Sequence, residues 1–228
     1  MKRLKADLHV HTADDPRDRL THSSEMLIDA AAALGFEVLA LTAHDACIHS
    51  PYLDTFARRR GVLLIPGIEK TIEGKHVVIL NPSQEHLAAR HFEALRAAPR
   101  DDALVMAPHP FYPTPRSLGR KLLDHIDLFD AVEYSTLYCR GLNPNRRAAR
   151  VARKFGLPLV GTSDVHRLPY GDSTHSWIEA DKNVGQVLAS VRAGRVDVVT
   201  RPLPARPALR SVYDAARGLV QDRLRGTP

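Results

Sequence analysis

Two histidines separated by one residue, His9 and His11, stand near the start of the chain in a stretch typical of a β-strand. Alternate side chains of a strand share a face, so both imidazoles are expected on one face together with Asp7. Leu8 and Val10 would then face apolar cover. Two imidazoles so placed can bind a single metal ion, and the Asp7 carboxylate would steady them.

Other potential ligands follow predicted strands further along the chain. Apolar runs typical of strands occur at 37–42, 62–68, 103–107, 131–134 and 157–160. Helical patterns separate them, including one over 84–98 and one over 145–155 that Gly156 closes. In a barrel of parallel βα units the carboxyl ends of all strands meet on one face, where active sites lie. The residues expected to converge there are His9, His11, His44, Glu69, His76, His109, Asp164 and His166.

The alternation predicts an α/β fold, and roughly seven βα units favour a barrel over an open sheet. A chain of 228 residues, 44% hydrophobic and 25% charged, can bury one full core. We predict one barrel domain over 1–200. A proline-containing linker and a C-terminal helix, near 208–223, would form 201–228 and pack on the barrel or extend from it.

No apolar run is long enough to span a bilayer, and residues 1–5 lead into a polar strand without a hydrophobic signal core. A cytoplasmic protein is therefore expected. Cys47 and Cys139 lie far apart without Cys-x-x-Cys spacing, which argues against a disulfide framework or a zinc finger. A glycine-rich dinucleotide fingerprint and a Walker phosphate loop are both missing from the sequence.

The formal charge of +6 and the pI of about 9.5 suit an anionic substrate or nucleic acid. Much of the surplus lies between Arg140 and Lys154, a stretch with four further arginines and no acid. A solvated helix face is the alternative interpretation of this stretch.

At the strand-end residues the chain resembles the polymerase-and-histidinol-phosphatase (PHP) family of metal-dependent phosphoesterases. The matching segments are Asp-Leu-His-Val-His-Thr (7–12), Ala-Leu-Thr-Ala-His-Asp (40–45), Pro-Gly-Ile-Glu (66–69), Ala-Pro-His-Pro (107–110) and Gly-Thr-Ser-Asp-Val-His (161–166). They follow the family's order within about residues 5–200. The resemblance implies a distorted, TIM-like barrel of seven strands with up to three metal ions at the strand ends.

The resemblance also implies a ligand for each metal ion. The ligands of the first would be His9, His11, Glu69 and Asp164. Glu69 would bridge to a second ion, which His76 and His109 would complete.

The third ion would be bound by His44, His166 and a carboxylate from the loop after His11. This loop is shorter than is usual in the family. Asp15 is the expected ligand, and the alternatives are Asp14, Asp18 and His22. Ala43 stands where the family commonly places an aspartate.

A set of nitrogen and oxygen ligands suits two to three Zn²⁺, Mn²⁺ or Fe²⁺ ions. The implied reaction is hydrolysis of a phosphate ester by a metal-bound hydroxide, with the metal-bound water held by Glu69 and Asp164. Glu133 is expected in a supporting role beside Asp7. Guanidinium groups suit phosphate, and the candidate substrate-binding residues are Arg140, Arg146 and Arg167.

The sequence therefore favours a phosphoesterase acting on a small phosphorylated molecule, a nucleotide or an oligonucleotide end. Histidinol-phosphatase activity remains open within that class. One alternative from another class is a non-catalytic module, in which the metals stabilise the barrel and its basic faces bind nucleic acid or a partner protein. Another is an amidohydrolase-like enzyme acting on C–N bonds, because such barrels also use His-x-His motifs. The oligomeric state is left open.

Overall fold

Strands and helices alternate along most of the chain. The computed structural model describes residues 1–204. Its strands are β1 (Lys2–Val10), β2 (Val38–Leu41), β3 (Leu63–Ile72), β4 (Lys75–Leu80), β5 (Leu104–Ala107), β6 (Ala131–Ser135), β7 (Leu159–Thr162), β8 (Thr174–Ala180) and β9 (Val196–Thr200). Its helices are α1 (Ser24–Ala33), α2 (Pro51–Arg58), α3 (Gln84–Ala88), α4 (Phe92–Ala97), α5 (Lys121–Asp124), α6 (Asn145–Phe155) and α7 (Val184–Arg192), with a 3₁₀ turn at Ile126–Leu128.

The strands form one sheet in the order β7-β6-β5-β4-β3-β2-β1-β8-β9. Parallel pairing joins β1, β2 and β3, and likewise β5, β6 and β7. Antiparallel pairing inserts β4 between these groups and adds β8 and β9 beside β1. The predicted α/β class is confirmed. The implied count of seven strands is not, because the β3–β4 hairpin and the β8–β9 pair bring the described sheet to nine.

The sheet curls until β7 meets β1 and β8, which nearly closes a barrel. The Asp164 N–H donates to the carbonyl of His9 (3.0 Å), and the His11 N–H donates to the carbonyl of Val165 (3.1 Å). Earlier in β7, the Gly161 N–H donates to the Ser176 hydroxyl of β8 at 2.8 Å. A Cβ on Gly161 would lie 2.6 Å from a backbone oxygen of β8, so this approach requires glycine. Closure brings the ends of β1 and β7 together.

The side chains that point into the barrel are apolar towards one end of the barrel and polar towards the other. Ile65 of β3 and Val78 of β4 belong to the inner core, which α7 covers through Leu188. The period of two along a strand places Glu69 on the same face as Ile65, and His76 on the same face as Val78. The polar end is therefore the end at which β1, β2, β5, β6 and β7 terminate, as the barrel argument predicts.

Helix α6 is confirmed with the predicted bounds, and Gly156 follows it with a φ of +68°. The predicted single helix over 84–98, in contrast, is two helices, α3 and α4. The β3–β4 turn forms hydrogen bonds with the segment between these two helices. The Glu73 N–H donates to the carbonyl of Arg90, and the Glu73 carboxylate accepts from the Phe92 N–H. Propensity alone could not reveal this tertiary pairing.

The helix predicted near 208–223 lies outside the described residues, and the division into 1–200 and 201–228 stays a prediction. None of the helices within residues 1–204 has the length and apolar character needed to traverse a bilayer.

Candidate metal centre

A register irregularity in β1 aims its two histidines into the barrel. The pairing with β2 shifts between Asp7 and Val10. As a result Leu8 packs in the inner core, whereas Val10 packs outside against α1 and α2. The expectation that Leu8 and Val10 share a face is therefore wrong. A bulge of this kind re-aims a side chain without ending the strand, and here it directs His9 inward at the rim.

Four buried side chains form the first group of potential ligands. The Nε2 atoms of His9 and His11 lie 3.0 Å apart. Both nitrogens lie 3.4 Å from Oδ1 of Asp164. Glu69 completes the group, with its two oxygens 3.5 Å from His9 Nε2 and 3.4 Å from His11 Nε2. Ligands about 2.0–2.2 Å from a tetrahedral ion are separated by roughly this distance.

Glu69 also reaches a second group of imidazoles. Its Oε1 lies 2.8 Å from His76 Nδ1 and 3.1 Å from His109 Nε2. Its Oε2 lies 3.1 Å from His44 Nε2. One buried carboxylate therefore faces five imidazoles, three through one oxygen and two through the other.

Two aspartates of the loop after β1 stand beside the third group of ligands. Asp15 Oδ2 accepts from the backbone N–H of His44 (2.7 Å) and lies 2.8 Å from His44 Nδ1. Asp15 Oδ1 accepts from the Arg17 N–H at 2.8 Å. Asp18 Oδ2 lies 3.3 Å from His166 Nε2 and 3.5 Å from His44 Nδ1. Asp18 thus approaches both imidazoles expected to hold the third ion, while Asp15 is committed to holding His44 and the loop.

The other two alternatives for this loop ligand take structural roles. Asp14 accepts from the backbone N–H and the hydroxyl of Ser24, at the start of α1. His22 is buried, and its Nε2 lies 2.9 Å from the carbonyl oxygen of His11.

Glu133 is buried behind the first group and orients it. Its Oε1 lies 2.9 Å from His9 Nδ1 and accepts from the Thr162 hydroxyl. Its Oε2 accepts from the backbone N–H of His109. An Nδ1 proton directed at Glu133 leaves the His9 Nε2 lone pair facing the centre, which is the tautomer that metal binding requires.

Replacing Glu133 by Gln should therefore weaken metal binding, because the amide keeps the shape but loses the charge that fixes His9. Loss of such a partner typically costs about 10–100-fold in metal affinity or activity. Competition with a chelator would measure the affinity. Glu179→Gln, the same change at an exposed position of β8, is the control. Equal metal affinities for both variants and the wild type would exclude this role of Glu133.

Asp7 is buried but does not contact the histidine rings. Its carboxylate accepts from the Ser163 N–H (3.1 Å), from the Tyr170 hydroxyl (2.5 Å) and, at 3.4 Å, from the His9 N–H. Burial raises the pKa of Asp7 to about 6. Asp7 therefore ties the loop that carries Asp164 to β1 and to the backbone of His9.

Backbone strain coincides with the centre. His109 has a φ of +27° and Asp164 a φ of +50°, and Asp45, next to His44, has a φ of +54°. Non-glycine residues adopt such conformations at a cost, and surrounding contacts must hold them. The Asp45 carboxylate accepts from the Thr71 N–H (2.8 Å) and pairs with Arg17 at 2.7 Å.

The electrostatics of the centre favour positive charge. Burial alone would lower the pKa of His9, but Asp164, Glu69 and Glu133 outweigh it and raise that pKa well above its usual value. Burial opposes protonation of His166 too, yet Asp18 and Asp164 raise its pKa to about 9. Metal cations between these carboxylates and imidazoles would supply the positive charge that the buried carboxylates favour.

The candidate substrate-binding arginines are all exposed. Arg140 lines a surface cavity of about 580 Å³ together with Arg201, Arg146 lies in the first turn of α6, and Arg167 directly follows His166. Sequence reasoning missed Arg17, which the Asp45 carboxylate holds on the loop that carries Asp15 and Asp18. The position of Arg17 among the acidic residues of this loop was visible in the sequence. Its pairing with Asp45 was not.

Known proteins share segments and fold with this chain. Residues 143–196, from α6 through α7, match the sequence model of a family described as PHP-associated. The crystal structure of PsfC from Pseudomonas syringae is 16% identical, covers 99% of this chain and 98% of its own, and has a TM-score of 0.62.

Two further solved structures share the fold. A protein described as a metal-dependent phosphoesterase, from Bifidobacterium adolescentis, is 19% identical over 73% of this chain and 90% of its own, with a TM-score of 0.54. A lesion-specific endonuclease from Pyrococcus furiosus is 15% identical over 86% of this chain and 58% of its own, with a TM-score of 0.58. The strand-end motifs and the matched segment support a relationship to the PHP domain family, and the solved structures share the fold of this chain.

Proposed function

We propose that the chain is a metal-dependent phosphoesterase that cleaves a phosphate ester of a small molecule, a nucleotide or an oligonucleotide end. The observation that carries the proposal is the position of Glu69. A single buried carboxylate lies within 3.5 Å of nitrogens from five imidazoles. This crowding is costly without bound cations, because one carboxylate cannot serve five partly charged rings removed from water.

The donor set fits divalent ions. The Nε2 atoms of His9 and His11 face each other at 3.0 Å, and a cation between them would use both lone pairs. Imidazole and carboxylate donors suit Zn²⁺, Mn²⁺ or Fe²⁺. Four overlapping groups of such donors lie close enough together to hold a metal ion, and we propose that they hold two to three ions. We assign the first ion to His9, His11, Glu69 and Asp164, and the second to Glu69, His76 and His109. We assign the third to His44, His166 and Asp18, and give Asp15 the role of orienting His44.

Divalent ions held here would polarise a phosphoryl oxygen, acidify water and stabilise the leaving oxygen. The protein's own contribution is positioning. Glu133 keeps the His9 proton on Nδ1, Asp15 holds the backbone N–H of His44, and Asp7 fixes the loop of Asp164. The buried Glu69 and Asp164 carboxylates supply the negative charge on which ions and their water ligands would be held. Arg17, on the loop that carries Asp15 and Asp18, and Arg167, next to His166, would meet a phosphate bound at these ions.

The completeness of the ligand set argues against the non-catalytic alternative. A module in which metal ions only stabilise the barrel would not require three groups of metal ligands. The amidohydrolase alternative calls for a carboxylated lysine or a bridging glutamate at a strand end, and Glu69 does not exclude the second form. Lys70 follows Glu69 but faces away from it, with its Nζ 3.4 Å from Asp45 Oδ1.

The test is turnover by the purified protein with Mn²⁺, Zn²⁺ or Fe²⁺ on an aryl phosphate, a bis-aryl phosphate, nucleotides, oligonucleotides and histidinol phosphate. We expect hydrolysis that a chelator abolishes and the metal restores. The His9→Ala, Asp164→Ala double variant should fold and show none. If no metal supports turnover of any of these esters, the non-catalytic module becomes the better account.

A further inference from the structure

The positive charge of this protein is concentrated in one segment. Between Glu133 and Asp164 there is no acidic residue. The same segment holds six of the 32 basic residues, and the rest of the chain is balanced at 26 of each sign. The six are Arg140, Arg146, Arg147, Arg150, Arg153 and Lys154, and all six are exposed.

Five of these cations belong to α6. Within residues 1–204, none of the five forms an ion pair with a carboxylate. Arg147 instead stacks on the ring of Phe111, 4.3 Å from its centroid, and Arg150 donates to the carbonyl of Arg146. The arginines of α2 differ, because Arg58 pairs with Asp54 there. Like charges three and four residues apart on one helix repel each other, so an uncompensated set fits an anionic partner better than a stabilising role.

The basic helix starts at the metal centre. Asn145, its first residue, is buried, and its side chain bonds both the N–H (3.0 Å) and the carbonyl (2.8 Å) of Ser135 at the end of β6. Glu133 stands two residues earlier on that strand. Phe111, on which Arg147 stacks, follows His109 by two residues and packs against α6. The first turn of α6 is therefore anchored to the same strand and loop that carry Glu133 and His109.

We infer that α6 is the binding surface for the backbone of a single-stranded nucleic acid whose end or internal phosphodiester lies in the metal centre. Arg146, Arg150 and Arg153 recur at spacings of four and three residues, so they share one face along a helix about 16 Å long. Two half-buried aromatic rings lie at the start of α6: Phe111 stacks with Arg147, and the Tyr134 hydroxyl accepts a hydrogen bond from the Asn143 amide at 3.0 Å. Cations interleaved with aromatic rings are typical of surfaces that bind unpaired strands. The inference rests on the proposed function and narrows its substrate to an oligonucleotide.

The test compares two triple variants that remove the same charge. In the first, Arg146, Arg150 and Arg153 become Gln. In the control, Arg58, Arg59 and Arg60, at the end of α2, become Gln. The probe is a fluorescein-labelled phosphorothioate oligothymidylate, and its affinity for the metal-loaded full chain is followed by fluorescence anisotropy over a range of salt concentrations. Thermal unfolding checks that each variant is folded.

We expect the α6 variant to bind at least about tenfold more weakly, and the magnitude of its slope of log affinity against log salt to fall by about 2, as the loss of three phosphate contacts on a single strand implies. The control should stay within about twofold of the wild type, because its charges lie away from the site. The Arg150→Gln, Arg153→Gln double variant should show a proportionate loss if the triple variant is unstable.

Equal losses in the two triple variants, or no measurable binding by the wild type, would overturn the inference. So would equal affinity for a duplex of the same length, or equally good competition by polyglutamate. Turnover of the aryl phosphate by the wild type tests the proposed function separately, since the binding assay does not depend on hydrolysis.

Discussion

Replacing Glu69 by Gln is expected to lower kcat/KM for phosphate-ester hydrolysis by about 10³-fold, equivalent to roughly 4 kcal/mol of barrier. The reason is that Glu69 is shared: its oxygens face His9, His76 and His109 on one side and His11 and His44 on the other. Gln keeps the size but offers one neutral oxygen, so two ion sites would lose a ligand together. Steady-state kinetics at saturating Mn²⁺, with metal content measured on the same samples, would quantify the loss.

Glu73→Gln is the matched control for this variant. Glu73 lies in the β3–β4 turn, four residues further on, where it pairs with Lys121 at 2.9 Å. It should retain wild-type kinetics. Wild-type metal content and activity in Glu69→Gln would show that the shared carboxylate does not hold the ions.

Asp18→Asn and Asp15→Asn should differ in their effect on the third ion, although the residues stand three apart. Asp18 Oδ2 lies near both His44 and His166, so Asp18→Asn should lose about one ion per chain even at saturating metal. The carboxylate oxygens of Asp15 already accept hydrogen bonds from His44 and from the loop backbone. Its Asn variant should weaken that ion by about 10–100-fold, a loss that excess metal overcomes.

Metal content after equilibration at low and at high Mn²⁺ separates the two outcomes. Retention of the third ion by Asp18→Asn, together with its loss from Asp15→Asn at high Mn²⁺, would reverse the assignment. It would restore Asp15 as the ligand, which is the expectation drawn from the sequence.

Much of the polar rim could be predicted because parallel strands place their ends together. His9 lies near the end of one strand, and His44, His109 and His166 follow three others. The strand patterns alone predicted that these residues converge. Placing Glu69 and His76 at this rim also required the period of two along a strand, which determines the face on which each side chain lies. The α6 boundaries were readable because Gly156 ends the helix in the left-handed conformation that favours glycine.

What the sequence did not reveal depends on tertiary contacts. The bulge in β1 reverses the direction of Leu8 relative to Val10, and no residue type marks it. The role of Asp7 depends on Ser163 and Tyr170, more than 150 residues away in the chain. The choice between Asp15 and Asp18 depends on the path of a loop, where backbone N–H groups fill one carboxylate and leave the other facing two imidazoles.

The most direct test of the account is anomalous difference density from a crystal of the Mn²⁺-loaded protein. We expect two to three peaks, of which the first two share Glu69, each within about 2.0–2.3 Å of its assigned nitrogen and oxygen ligands. Peaks confined to surface carboxylates, with none between Glu69 and the imidazoles of His9, His11, His76 and His109, would contradict it.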